Sequence, residues 1–179
     1  MERLSELEGV VLGMLWSMGP KTAYSIRQAF LKSPNPHWAT SAGTIYPLVK
    51  RLHERGLIRA ERHATGRREG LMYTVTSNGM KGLKRGIGPT PPPVATAVPI
   101  DPLRLRILYM GVLSEREKAT LIKSARRELQ KILKWLESEV VEKRKDSNKY
   151  LYLAYRGSIM NTKTRLAFLD EVEKAVKRK

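Results

Sequence analysis

The sequence predicts a mainly α-helical chain of two modules, a three-helix unit carrying a β-hairpin and then an all-helical unit. Three observations point there. Apolar residues recur at three- and four-residue steps over most of the 179 positions, the period of an amphipathic helix. One stretch alone, between residues 57 and 75, carries strand formers on either side of a polar, two-glycine segment. One composition break, residues 88–102, holds six prolines and cannot continue a helix or a central strand.

The first module opens with a helical stripe of Leu4, Leu7, Val11, Met14, Leu15 and Met18, stopped by Gly19-Pro20. Thr22 is placed to cap a second helix with Ala23, Ile26 and Phe30 inward, and Ser33-Pro34-Asn35-Pro36 ends it. Ser41 is placed to cap a third. Its apolar stripe is Ile45, Leu48, Val49 and Leu52, and Gly56 stops it. Pro47 lies inside that pattern and crowds the carbonyl four residues back, so the first turn is expected to be irregular. Two strands are predicted, from Leu57 to Arg62 and from Leu71 to Val75, with a polar tip from His63 to Gly70. Thr76 then caps a helix with Met80, Leu83 and Ile87 inward. Helix, helix, helix, hairpin, helix is the order of a winged helix-turn-helix domain. The expected division is a winged domain over residues 1–87, a proline-rich linker over 88–102 and a helical dimerisation domain over 103–179.

The second module starts with a helix from Asp101 to about Val112. Ser114-Glu115-Arg116-Glu117 reads as a capping box. It opens a long helix with Ile122, Ala125, Leu129, Ile132, Leu136 and Val140 on one face. Asp146-Ser147-Asn148 breaks it. A last helix carries Tyr152, Tyr155, Ile159, Leu166, Leu169, Val172 and Val176, close to a heptad seam. Leu129, Ile132, Leu136, Tyr155, Ile159, Leu166 and Leu169 are therefore candidate dimerisation residues.

The net charge of +17, with 34 basic and 17 acidic groups, calls for an anionic partner. It does not say where that partner binds. Residues 1–88 carry 14 basic and 6 acidic groups, and residues 89–179 carry 20 and 11. There is no cysteine, which excludes disulfides and thiolate metal sites. The spacing of His37, His53 and His63 offers no short metal-ligand pair. No phosphate-cradling glycine loop or nucleophile motif is present, so neither an enzyme nor a cofactor is expected. The acidic first residues are unlike a secretory or transit leader, and the apolar run from Gly9 to Trp16 is too short to span a membrane. A cytoplasmic protein without membrane contact is expected. Trp16, Tyr109, Trp135, Tyr150, Tyr152 and Tyr155 suit core packing better than a ligand pocket.

Residues 38–58, with Ser-Ala-Gly-Thr-Ile-Tyr-Pro at 41–47 and Gly-Leu-Ile at 56–58, resemble the PadR family of bacterial transcriptional regulators. Tyr73-Thr-Val-Thr-Ser-Asn-Gly79 is similar to the family's signature after the wing, and Ala23-Tyr24-Ser25-Ile26 to its second helix, with Ala for Gly and Ser for Glu. The likeness covers about residues 4–87. By length and pattern the second half resembles the long carboxy-terminal branch, which includes virulence-gene activators. The resemblance implies a homodimer on pseudo-palindromic double-stranded DNA, repression as the commoner outcome, and an unidentified small-molecule effector. It also implies that the first helix, with Leu4, Leu7 and Val11, packs on the partner's carboxy-terminal module.

The recognition helix, residues 41–55, would enter the major groove and the wing, residues 62–70, would meet backbone or minor groove. Thr40, Ser41 and Thr44 would offer short hydroxyls to phosphates at the helix start. Tyr46 and Tyr24 resemble phosphate-contacting tyrosines of the family. Lys50 and Arg51 are long donors on the exposed face, and Arg67 and Arg68 stand at the wing tip. Plainer readings stay open: Tyr46 packed on the wing, Lys50 and Arg51 solvated, Arg67 and Arg68 serving solubility, Trp38 a packing anchor. Two rival functions also stay open, a winged-helix protein-interaction module and a non-specific nucleic-acid binder.

Overall fold

A computed structural model describes residues 4–33, 38, 42–65, 68–89, 93–144 and 148–178. The chain divides into two compact units, Met1–Ala97 and Val98–Lys179.

The first unit opens with α1, Glu6–Met18. Ser5 and Glu8 cap it reciprocally: the Ser5 N–H donates to Glu8 Oε2 at 2.9 Å, and the Glu8 N–H donates to Ser5 Oγ at 3.3 Å. Gly19, at φ +74°, ends the helix in a conformation that side chains resist. Lys21 and Tyr73 then exchange two backbone hydrogen bonds of 3.2 and 2.9 Å, which stitch this connection to the hairpin. In α2, Ala23–Leu31, Thr22 Oγ1 accepts from the Ser25 N–H as the expected cap. Trp38 packs as an anchor, its ring 5.9 Å from that of Phe30.

The third helix has the irregular start that Pro47 suggested. A 3₁₀ turn, Ala42–Thr44, precedes α3, Ile45–Glu54. Pro47 thus sits in the first turn of regular helix, where its missing N–H has no intrahelical acceptor to lose. Ser41, the expected cap, lies outside the described residues. At the other end Leu57 N–H donates to Leu52 O and Gly56 N–H to His53 O, both at 2.9 Å. With Gly56 at φ +65° this is a Schellman stop.

The hairpin strands β1, Ile58–Thr65, and β2, Arg68–Val75, are longer than the sequence suggested. Their antiparallel register runs from Ile58 opposite Val75 to Thr65 opposite Arg68. Backbone pairing reaches well into the polar segment because a ladder needs no apolar side chains. Helix α4, Ser77–Ile87, follows with Thr76 Oγ1 capping the Gly79 N–H at 3.1 Å. The core joins Val11, Leu12 and Leu15 of α1 to Ile26, Phe30, Ile45, Leu48, Val49 and Leu52. Leu12 was absent from the stripe read along the sequence, whereas Met18 and Ile87, which were in their stripes, are exposed because each lies at the last residue of its helix.

Within the proline-rich segment Pro93–Thr96 forms one helical turn. The second unit begins with α5, Pro102–Leu108, capped by Asp101, whose Oδ1 accepts from the Leu103 N–H at 2.9 Å. This helix is shorter than expected, and a 3₁₀ turn, Met110–Val112, completes the span. Two 29-residue helices follow, α6, Glu115–Lys143, and α7, Lys149–Lys177. At 1.5 Å per residue each is about 43 Å long. They run antiparallel. Arg126 of α6 meets both Asp170 and Glu173 of α7, the latter at 2.6 Å, and Glu137 meets Lys163 at 3.2 Å. The Trp135 and Tyr155 rings lie 6.1 Å apart.

The candidate dimerisation residues divide by their exposure in the single chain. Leu129, Leu136, Ile159 and Leu169 are buried inside the single chain, as Val11 is in the first unit. A side chain packed within its own subunit has less surface left to offer a partner. Leu4, Leu7, Ile132, Tyr155 and Leu166 are half-buried and keep part of theirs.

Candidate nucleic-acid interface

Helix α3 has two chemically distinct faces. Ile45, Leu48, Val49 and Leu52 are at most 2% exposed and fix which side turns inward. The other side presents Thr44 at the N-cap, then Tyr46, Lys50 and Arg51, all exposed. Tyr46 keeps half its surface, 50%, in solvent. Lys50 reaches Glu54 only at 3.8 Å with its side chain 78% exposed, a pair too loose and too wet to hold the ammonium. Lys50 therefore remains available to an anion.

Tyr24 lies on the solvent side of α2, 60% exposed, and α2 packs against α3. The fold thus gathers Thr44, Tyr46, Lys50 and Arg51 on one face and sets Tyr24 on the adjoining helix. Thr40, Ser41 and Arg67 lie outside the described residues. Of Arg68 only the backbone is described, at the tip end of β2. On β1 the exposed Arg59 forms an ion pair with Glu61, Nε to Oε1 at 3.0 Å, and Arg62 and His63 are also exposed. Among the described residues the hairpin thus carries exposed basic groups along β1.

What anchors α3 was not read from the sequence. Its last turn is held by the His53 ring set edge-on to Tyr73 of β2 at 6.4 Å. It is held also by Arg55, whose Nη1 donates to Glu8 Oε1 at 2.7 Å. Glu8 is 5% exposed. Its capping role was open to sequence reading, since Ser5-x-x-Glu8 has the same spacing as Ser114-x-x-Glu117. Its pairing with Arg55, 47 positions away, leaves no local pattern. Among the described residues no helix is long and apolar enough to cross a membrane, and no group of three His, Asp or Glu could hold a metal.

A family profile, the transcriptional regulator PadR-like family, matches residues 11–85. No curated protein matches the chain. Among solved structures the chain is similar to PadR of Bacillus subtilis in complex with operator DNA, with 22% identity, a TM-score of 0.80 and coverage of 97% of this chain and 100% of that one. It is similar to the same protein in complex with p-coumaric acid, with 20% identity, a TM-score of 0.73 and coverage of 97% and 96%. The virulence activator AphA of Vibrio cholerae follows at 21% identity, a TM-score of 0.62 and coverage of 93% and 95%. These likenesses extend through both units and establish the fold, a winged helix with a helical carboxy-terminal domain.

Proposed function

We propose that the chain, whose residues 11–85 match the PadR-like family profile, is a transcriptional regulator of that kind, binding pseudo-palindromic operator DNA as a homodimer and repressing transcription. Regulators of this family are DNA-binding transcription factors and not enzymes. The observation that carries the reading is the outer face of α3. Tyr46, Lys50 and Arg51 stand exposed on a helix whose inner face is fully packed, the form in which a helix is offered to a major groove.

Lys50 and Arg51 are the base or phosphate donors, Tyr24, Thr40, Ser41, Thr44 and Tyr46 the phosphate contacts, and Arg67 and Arg68 the wing's contribution. The B. subtilis protein's complex with operator DNA supports the partner. Its complex with p-coumaric acid supports a small-molecule effector, and an open apolar cleft of about 500 Å³ beside Leu105, Tyr109 and Leu121 offers room. Acting on DNA places the protein in the cytoplasm.

For the dimer we assign the outer stripe of α7. Leu153, Ala154, Gly157, Met160, Asn161, Thr164, Ala167 and Phe168 recur at three- and four-residue steps, are exposed and carry no charge. A two-fold interface must match itself. Antiparallel pairing of this stripe with a second copy sets Leu153 against Phe168 and Gly157 against Thr164, large with large and small with small.

The test is fluorescence anisotropy of the full chain on a duplex selected from a random library, against a scrambled duplex, over a salt series. Specific binding should exceed non-specific by about a thousandfold or more. Lys50→Ala should cost about 1–3 kcal/mol, and Tyr46→Phe should weaken both duplexes alike. Equal affinity for both duplexes would leave a charge-driven binder, and no binding at low salt would leave an interaction module.

A further inference from the structure

One carboxylate joins two helix ends. Oε2 of Glu8 accepts from the Ser5 N–H and closes the first turn of α1, while Oε1 accepts from Arg55 Nη1 at the C-cap of α3. The Glu8 side chain is 7% exposed and that of Arg55 28%. Each charge sits at the end of its helix dipole that favours it, Glu8 at an N-terminus and Arg55 at a C-terminus.

The apolar stripe of α3 decides which face turns inward. Hydrophobic packing is non-directional, so it resists a small slide or roll about the helix axis only weakly. A short hydrogen bond between ions is directional and fixes what the stripe leaves soft. A largely buried ion pair adds little to stability over a well-packed apolar pair. Its distinctive effect here is geometric.

We propose that Glu8 is a positioning residue for DNA recognition: through Arg55 it sets the height and roll of α3, and hence where Lys50 and Tyr46 meet the duplex. This rests on the DNA-binding reading of α3. Base-edge contacts demand exact placement, whereas phosphate contacts tolerate displacement and carry non-specific affinity. Loosening the Glu8–Arg55 pair therefore erodes discrimination while leaving bulk attraction in place.

The test measures affinity for a library-selected duplex and a scrambled duplex, with thermal midpoints, for the full chain and four variants. Glu8→Gln keeps the shape and weakens the pair; Arg55→Met removes the donor; Arg55→Lys restores a charged donor. Ser5→Ala removes the cap of α1 and leaves the pair. The expected result is a fall of about tenfold in the specific-to-non-specific ratio for Glu8→Gln and Arg55→Met. The salt slope stays unchanged, and Arg55→Lys recovers much of the ratio. Ser5→Ala should lower the midpoint with the ratio intact. A ratio in Glu8→Gln equal to that of the unaltered chain, or a matching drop in Ser5→Ala, overturns the positioning role alone. Absence of any preference in the unaltered chain overturns the DNA-binding reading and this inference with it.

Discussion

A Cβ placed on Gly79 would lie 2.1 Å from the carbonyl oxygen of Leu57 and 2.8 Å from Cγ2 of Val75. The same Leu57 oxygen accepts from the Thr76 N–H at 3.0 Å, so it cannot retreat without giving up a bond that holds α4 in place. Gly79→Ala should therefore destabilise the first unit by about 1–3 kcal/mol, as other overpacked sites do. A lowered thermal midpoint with unchanged helix content at low temperature would show it, and an unaltered midpoint would refute the close approach. The glycine was legible in the sequence as part of the Tyr73–Gly79 pattern, but its reason was not. The approach of α4 to the turn after α3 exists only once the unit has folded. Tyr46 and Lys50 were legible for a simpler cause. They occupy the polar side of a helix whose apolar side is written in Ile45, Leu48, Val49 and Leu52, so exposure follows from periodicity alone. Arg55 and Glu8 were not, because an ion pair between distant segments has no period.

Among the elements, the α6–α7 hairpin is laced by carboxylates that the fold keeps ionised. Hydrogen bonding from Lys177, and its charge, hold the Glu173 carboxyl below its ordinary value of 4.5, with Arg126 adding to the effect. A hydrogen bond from Lys131 does the same for Glu128, and the Ser114 hydroxyl and N–H for Glu117. The Arg126 guanidinium is raised in turn, first by its hydrogen bond to Asp170. A carboxylate lowered by folding stabilises the fold above its unfolded value and loses that contribution as pH falls through the lowered one. The second unit should thus weaken from about pH 5 downward and not between neutrality and pH 6. Glu173→Gln should flatten the acid limb of a thermal-midpoint profile followed by circular dichroism. An unchanged limb would mean that these exposed pairs are screened into insignificance. The two long helices were easy to see in sequence, through the Ser114 box and a sustained stripe. Their pairing within one chain was not, because a heptad seam has the same form whether its partner is the neighbouring helix or a second subunit.

For the whole molecule, charge and association pull in opposite directions. Two copies, each at +17, repel one another, so any dimer must draw on apolar surface to offset that repulsion. Salt screens like charges and DNA attraction alike. Raising ionic strength should therefore tighten the dimer while it weakens operator binding, and sedimentation and anisotropy over one salt series can follow both. The uncharged stripe of α7 is the surface assigned to the dimer, with Leu153 56% and Met160 63% exposed in the single chain. A glutamate at position 153 or a lysine at 160 adds a charge on the solvent side without touching the buried face, so helix content should be preserved. Leu153→Glu and Met160→Lys should sediment as monomers at micromolar concentration. Their operator affinity should fall by about a hundredfold or more, because the second half-site no longer binds at high effective concentration. Their affinity for scrambled DNA should survive, since every basic group of the α3 face and the hairpin remains. If both variants sediment as the unaltered chain does, the dimer is built elsewhere. Leu4, just before α1, and Leu7 on it, which keep part of their surface, would be the next to alter.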